Sequence, residues 1–169
     1  MGPGDAIASC FGKYIEVRGR ASRMEFWWFV GFLVMGSTAV ALLDGQLIRW
    51  VFPERPYVTG IRRDGFLSFL FCLLVAPPTL AVAWRRMHDT GRSGFELFLP
   101  LIMATGLAIF TIFAGILVAR LGSVTMLRFL GHVAITGCAL VPIVLLWWLV
   151  QPGEPFTNSY GPQPEELDR

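Results

Sequence analysis

The polar chemistry of this 169-residue sequence is concentrated in two short stretches, Gly19-Arg20-Ala21-Ser22-Arg23-Met24-Glu25-Phe26-Trp27 and Arg85-Arg86-Met87-His88-Asp89-Thr90-Gly91-Arg92-Ser93-Gly94. Guanidinium groups present a planar fork of donors that matches a phosphate or carboxylate in two places at once, which a lysine ammonium does not. Convergence of Arg20, Arg23, Arg86 and Arg92 would therefore build a pocket for a phosphate. The plainer reading makes the arginines interface anchors, each contributing roughly 1 kcal/mol against anionic lipid headgroups. If the helix before them continues past Trp84, Arg85 and Asp89 stand four apart and pair on one face, while Arg86 points elsewhere.

His88-Asp89 does not make a metal or acid–base site by itself, because adjacent helical residues project about 100° apart. A zinc site needs three or four ligands, and the sequence has only 2 His, the second being the distant His132. Neither stretch shows a nucleophile paired with a base. No catalytic residue, metal or cofactor is expected, and an enzyme is the less favoured class. Cys72 and Cys138 lie in apolar sequence and read as small hydrophobes; the odd count of 3 Cys, without CxxC spacing, excludes a disulfide framework.

A second kind of chemistry serves helix ends. Ser22 with Glu25, and Ser93 with Glu96, have the spacing of a capping box, each just before an apolar run. Such caps satisfy orphan N–H groups where water is scarce and are worth about 0.5–2 kcal/mol each. Gly91 and Gly94 suit a tight turn between these runs. A third polar motif, Asn158-Ser159-Tyr160-Gly161-Pro162, lies in a tail whose Pro152, Pro155, Pro162 and Pro164 forbid a long helix. That tail either folds back toward the other motifs or trails as a short acidic extension.

The elements that position these motifs are set by where the apolar residues fall. The composition is 54% hydrophobic and 15% charged, with a mean hydropathy of +0.59. Soluble domains carry roughly 25% charged residues. The sequence thus departs from an ordinary soluble enzyme, a disordered chain or a nucleic-acid-binding protein, and no nucleic-acid partner is expected. Four runs, 26–43, 66–84, 97–119 and 129–150, contain no Arg, Lys, Asp or Glu. About 20 mostly apolar residues span a bilayer, and none of these runs has the polar face of a soluble amphipathic helix. The fold class expected is all-α: a single polytopic membrane domain over 1–169, with four transmembrane helices and a short N-terminal amphipathic segment. In that segment Ile7, Cys10, Phe11 and Tyr14 oppose Asp5, Ser9 and Lys13, an arrangement suited to a membrane surface. Pro77-Pro78 predicts a kink in the second span. The first run does not read as a cleaved signal peptide.

Four spans put the N-terminus, the segment after span two and the tail on one side. That side holds eight basic residues against six on the other, favouring both termini in the cytoplasm. The three same-side motifs, GRASRxEFW, RRxHDTGRSG and NxYGPxP in this order, resemble the bacterial inner-membrane family catalogued as domain of unknown function 805, over roughly residues 11–164. Met87 stands where that family usually has Leu, Phe95-Glu96 where an aromatic pair is common, and Ser159 where a basic residue often sits. The resemblance implies a bacterial inner-membrane location, about four helices and cytoplasmic motifs, and implies no activity.

The function expected is that of a membrane scaffold or interaction protein whose Arg-rich cytoplasmic face meets anionic lipid headgroups or a phosphorylated ligand. The alternatives are a small-molecule transporter subunit and, behind it, a membrane enzyme acting on a lipid headgroup. Ion-coupled transport usually leaves a charged residue inside a span, and here Asp44 and Glu96 stand only at the ends. The expected contact residues are Arg20, Arg23, Arg85, Arg86, His88, Asp89 and Arg92. Membrane lipids are the expected partners, with a homo-oligomer or another membrane protein a further possibility suggested by Gly31, Gly36, Ser37, Gly106 and Gly115.

Overall fold

The computed structural model describes residues 1–51, 65–120 and 122–164. Expectations on Arg55, Arg62, Arg63 and Arg169, and on the side chains of Arg49 and Cys138, lie outside the described residues. Within them the chain is all helical. Helix α1 runs Pro3–Gly12, α2 Arg23–Val51, α3 Phe66–Asp89, α4 Leu99–Arg120 and α5 Val124–Val150, with a 3₁₀ turn over Gly94–Phe98 leading straight into α4. Four helices, α2 to α5, are long and apolar enough to cross a membrane, with the 3₁₀ turn joining α4 in one stretch, Gly94–Val118.

The small N-terminal helix does not lie free on a surface. Ala6 and Cys10 are fully buried, and Phe11 sets its ring edge-on to Phe29 and Phe32 at 5.8 Å each. The apolar side of α1 is thus covered by α2, where aromatic edge contacts add to the area buried. Just past α1, the Tyr14 hydroxyl donates to the Leu74 carbonyl at 2.6 Å. Pro78 has no N–H with which to reach that carbonyl four residues back. Tyr14 supplies the missing donor, and α3 runs as one helix through both prolines.

At the opposite end of the α2–α3 hairpin, Asp44 is buried in α2 and caps α3 from outside. It accepts hydrogen bonds from the backbone N–H of Leu67 (3.1 Å) and Ser68 (2.7 Å) and from the Ser68 hydroxyl (2.6 Å). Gly65, the residue before α3, has no side chain to do this itself. A Cβ there would fall inside the Asp44 carboxylate, so glycine is what lets the two helices close.

Helices α4 and α5 form a second hairpin that joins the first chiefly at the motif end. There Trp84 of α3 packs edge-on against Phe95 (4.8 Å) and Phe98 (6.2 Å) of the 3₁₀ turn, and the Arg92 guanidinium lies 5.0 Å over the Trp148 ring of α5. Elsewhere these two helices leave their apolar side chains open, with only 6% of the residues in each span buried. Of the small residues singled out for helix contacts, Gly36 is covered by the Phe71 ring within the first hairpin and Gly115 faces Leu127, whereas Gly31 and Gly106 meet nothing within 4 Å. The core cluster, which includes Cys10, Ala21, Phe26, Phe29, Val82, Met87 and Leu149, sits at the motif end.

Candidate functional site

The motif end is organised around Asp89, the last residue of α3, which is 4% exposed. Its Oδ1 takes the Arg20 Nε–H at 2.9 Å, with Arg20 Nη2 at 2.8 Å, and its Oδ2 pairs with Arg86 Nη1. Two guanidinium groups therefore share one carboxylate. Their remaining donors go to backbone carbonyls at the end of α5 and in the tail. Arg20 reaches Phe156 (2.7 Å) and Glu154, and Arg86 reaches Leu149 (3.0 Å) and Gln151. Desolvated guanidinium groups are tolerable only when paired and hydrogen-bonded, and this division meets that condition for both.

Arg85 takes another partner than the one its spacing suggests. It pairs with Glu25 of α2 at 3.0 Å and not with Asp89, whose oxygens are occupied by Arg20 and Arg86. The expected local pair is replaced by the i,i+3 pair Arg86–Asp89. Glu25 in turn accepts from the Ser9 hydroxyl of α1 (3.0 Å) and lies 3.9 Å from the Cys10 thiol. Burial, with the Glu25 charge adding to it, pushes the Cys10 thiol from 9.0 up to about 12. Arg85 Nε and Nη2 are buried without a hydrogen-bond partner among the described residues.

The two capping boxes differ. Ser93 and Glu96 form the full reciprocal box, with the Ser93 N–H donating to Glu96 at 3.1 Å. Glu96 also pairs with Arg92 at 3.2 Å. At α2 only half forms: Ser22 Oγ accepts the Glu25 N–H at 3.1 Å, but the Glu25 carboxylate is drawn away to Arg85. A buried guanidinium outcompetes a neutral N–H for a carboxylate.

The tail folds back onto the end of α3. The Glu154 N–H donates to the Asp89 carbonyl at 2.8 Å, and Asn158 Nδ2 donates to the His88 carbonyl at 2.9 Å. Tyr160 stacks on the His88 imidazole, with centroids 3.8 Å apart and planes within 7°. His88 Nδ1 lies 3.0 Å from the Gly19 carbonyl, an acceptor that assigns the proton of a neutral ring to Nδ1. Gly161 closes the tail through a reciprocal pair of backbone bonds with Asn158, each 3.1 Å. Gly91, at φ +73, turns the chain out of α3 in the left-handed region that side chains avoid, and the Glu154 carboxylate packs over its Cα.

All three motifs thus meet in one clasp. Arg20, Arg85, Arg86, His88 and Asp89 lie inside it. Arg92 stands to one side on Trp148, and Arg23 stays exposed at the rim, with no ion pair or hydrogen bond among the described residues. Beside Arg23 is a small cavity of about 120 Å³ lined by Ser22, Arg23, Asp89, Glu154 and neighbouring tail residues. Sequence reasoning missed the roles of Ser9 and Trp148, and it could not see the tail carbonyls, which carry no side-chain signal; the proline-rich tail was their only trace.

A family model described as Protein of unknown function (DUF805) matches residues 14–162, nearly the whole clasp and all four spans. The chain belongs to the DUF805 family. DUF805 relatives include Inner membrane protein YhaH of Escherichia coli K12, 33% identical over 101 residues, covering 60% of this chain and 76% of that protein. Inner membrane protein YhaI of the same strain is 33% identical over 97 residues, covering 56% of this chain and 71% of its own. Uncharacterized protein YiiR is 36% identical over 91 residues, covering 50% and 49%. No solved structure matches. With four helices long and apolar enough to span a membrane, this DUF805 chain is a polytopic membrane protein, and the relatives YhaH and YhaI are inner membrane proteins.

Proposed function

We propose that this protein is a membrane scaffold or interaction protein whose motif-bearing end contacts lipid headgroups or a phosphorylated ligand. The observation that supports this is how the arginines are used. Arg20 and Arg86 are committed inside the clasp, holding the tail against α3, while Arg23 is left open at its rim. A polar platform with an exposed guanidinium, unpaired among the described residues, at headgroup depth suits contact with a phosphate. The apolar faces of α4 and α5, largely open along their length, suit contact with lipid or with a further membrane helix. The eight-to-six excess of basic residues favours a cytoplasmic position for this end and both termini.

The reading is tested by the lipid phosphorus carried by detergent-purified protein after exhaustive exchange. Stoichiometric phosphate in the wild type and its loss in Arg23→Gln are expected. Equal phosphate in both proteins, or none in either, refutes the contact.

A further inference from the structure

We propose that the cavity at the start of α2 holds a phospholipid headgroup that carries a primary amine as well as a phosphate. This rests on the headgroup contact argued above and narrows it to one chemical class. The cavity, of about 120 Å³, is lined by Ser22, Arg23, Asp89, Gly153, Glu154 and Gln163, among others. A cavity of about 150 Å³ accepts benzene, with six heavy atoms. The space here therefore suits the five heavy atoms of a phosphate.

The charges lining it are of both signs. Arg23 offers a guanidinium that no acid among the described residues pairs with, and the Ser22 hydroxyl, whose oxygen accepts the Glu25 N–H, keeps its own proton to donate. Behind Asp89 stand Arg20 and Arg86, so that triad is net positive, and the first turn of α2 adds its partial positive charge. Glu154 opposes this. One of its carboxylate oxygens takes Asn158 Nδ2 at 2.8 Å, and the group is solvent-exposed. A purely anionic ligand would set a phosphate beside that carboxylate uncompensated. A phosphodiester bearing an ammonium answers both, its phosphate on Arg23 and Ser22 and its amine on Glu154 at the rim.

Depth points to a lipid as the source. Arg23 is the first residue of α2, and Trp27 and Trp28, one turn further, are both exposed. Tryptophan rings favour the headgroup level of a bilayer, which places the cavity mouth where lipid phosphates lie.

The test is native mass spectrometry of the full-length protein released from nanodiscs of equal phosphatidylethanolamine and phosphatidylglycerol. Expected is a roughly tenfold preference for phosphatidylethanolamine in the wild type, set by one charge-assisted contact. Glu154→Gln should bring the two lipids level, Arg23→Gln should lose both, and Arg23→Lys should restore part of the retention. Arg23 and Glu154 are exposed, so an unchanged melting temperature in each variant separates lost binding from lost folding. Equal retention of both lipids that still needs Arg23 overturns the amine requirement and leaves the headgroup contact standing. Retention indifferent to Arg23→Gln overturns both. Binding of millimolar O-phosphoethanolamine by a wild-type protein that retains neither lipid assigns the site to a soluble ligand and overturns its assignment to lipid.

Discussion

Replacing Asp89 with asparagine keeps the shape of the side chain and removes the one negative charge between two buried guanidinium groups. Asp89 is 4% exposed and lies 2.8 Å from Arg20 Nη2, with Arg86 on its other oxygen. Breaking a buried ion pair by removing one partner costs about 3–5 kcal/mol, because the surviving charge is left uncompensated. Here two charges survive, but each keeps carbonyl acceptors, Phe156 at 2.7 Å for Arg20 and Leu149 at 3.0 Å for Arg86. The lower end, about 3 kcal/mol, is therefore expected, or roughly a hundredfold in the folded-to-unfolded ratio. Equilibrium unfolding in mixed micelles measures it directly. A cycle with Arg20→Met separates the pair from the general cost of a substitution. Removing Arg20 as well takes away one of the stranded charges, so Arg20→Met with Asp89→Asn should be less destabilised than the two single losses added together. A loss under 1 kcal/mol in Asp89→Asn, or strict additivity with Arg20→Met, would refute the clasp as an ion-paired unit.

Gly65→Ala drives a methyl into the Asp44 carboxylate that caps α3, so the thermal midpoint should fall by the equivalent of about 1–3 kcal/mol; an unchanged midpoint counts against that cap. Tyr14→Phe removes the donor that Pro78 cannot provide to the Leu74 carbonyl and should cost about 1 kcal/mol in the same unfolding assay, with no loss if water serves equally well. The Cys10 thiol, pushed from 9.0 up to about 12 by burial and Glu25, should resist maleimide at pH 8 in the folded protein and react once SDS unfolds it; prompt labelling of the folded protein contradicts its burial. The same shift makes stability pH-dependent. Its contribution is full below 9.0, where the thiol is protonated in both states, and is lost as pH rises toward 12, because the unfolded thiol ionises first.

The spans were legible because bilayer thickness fixes run length, and no other solvent selects four charge-free stretches of that size. Their ends were less so. Helix α3 continues through Arg85 and Arg86 to Asp89 because those charges are paired inside the protein, whereas hydropathy stops at Trp84. Local spacing read the Ser93–Glu96 box correctly, since both partners lie within one turn. The same spacing failed for Arg85, whose partner Glu25 is 60 residues away in another helix. No local rule ranks a distant carboxylate against a near one. The convergence of the tail was only half visible, as prolines that deny it a helix. What secures it is carbonyl oxygens, which every residue carries and no motif marks. The N-terminal helix was read as amphipathic from its pattern, but the pattern does not say whether lipid or α2 covers the apolar side.

Amide hydrogen exchange of the tail, followed by mass spectrometry on the protein in nanodiscs, tests most directly that the three motifs close into one clasp. The Glu154 N–H donates to the Asp89 carbonyl at 2.8 Å and the Asn158 and Gly161 backbones bond each other at 3.1 Å, while Arg20 holds the Phe156 and Glu154 carbonyls, so peptides covering residues 152–161 should be protected in the wild type and lose that protection in Arg20→Met. Exchange in the wild type as fast as in an unstructured peptide would contradict the clasp.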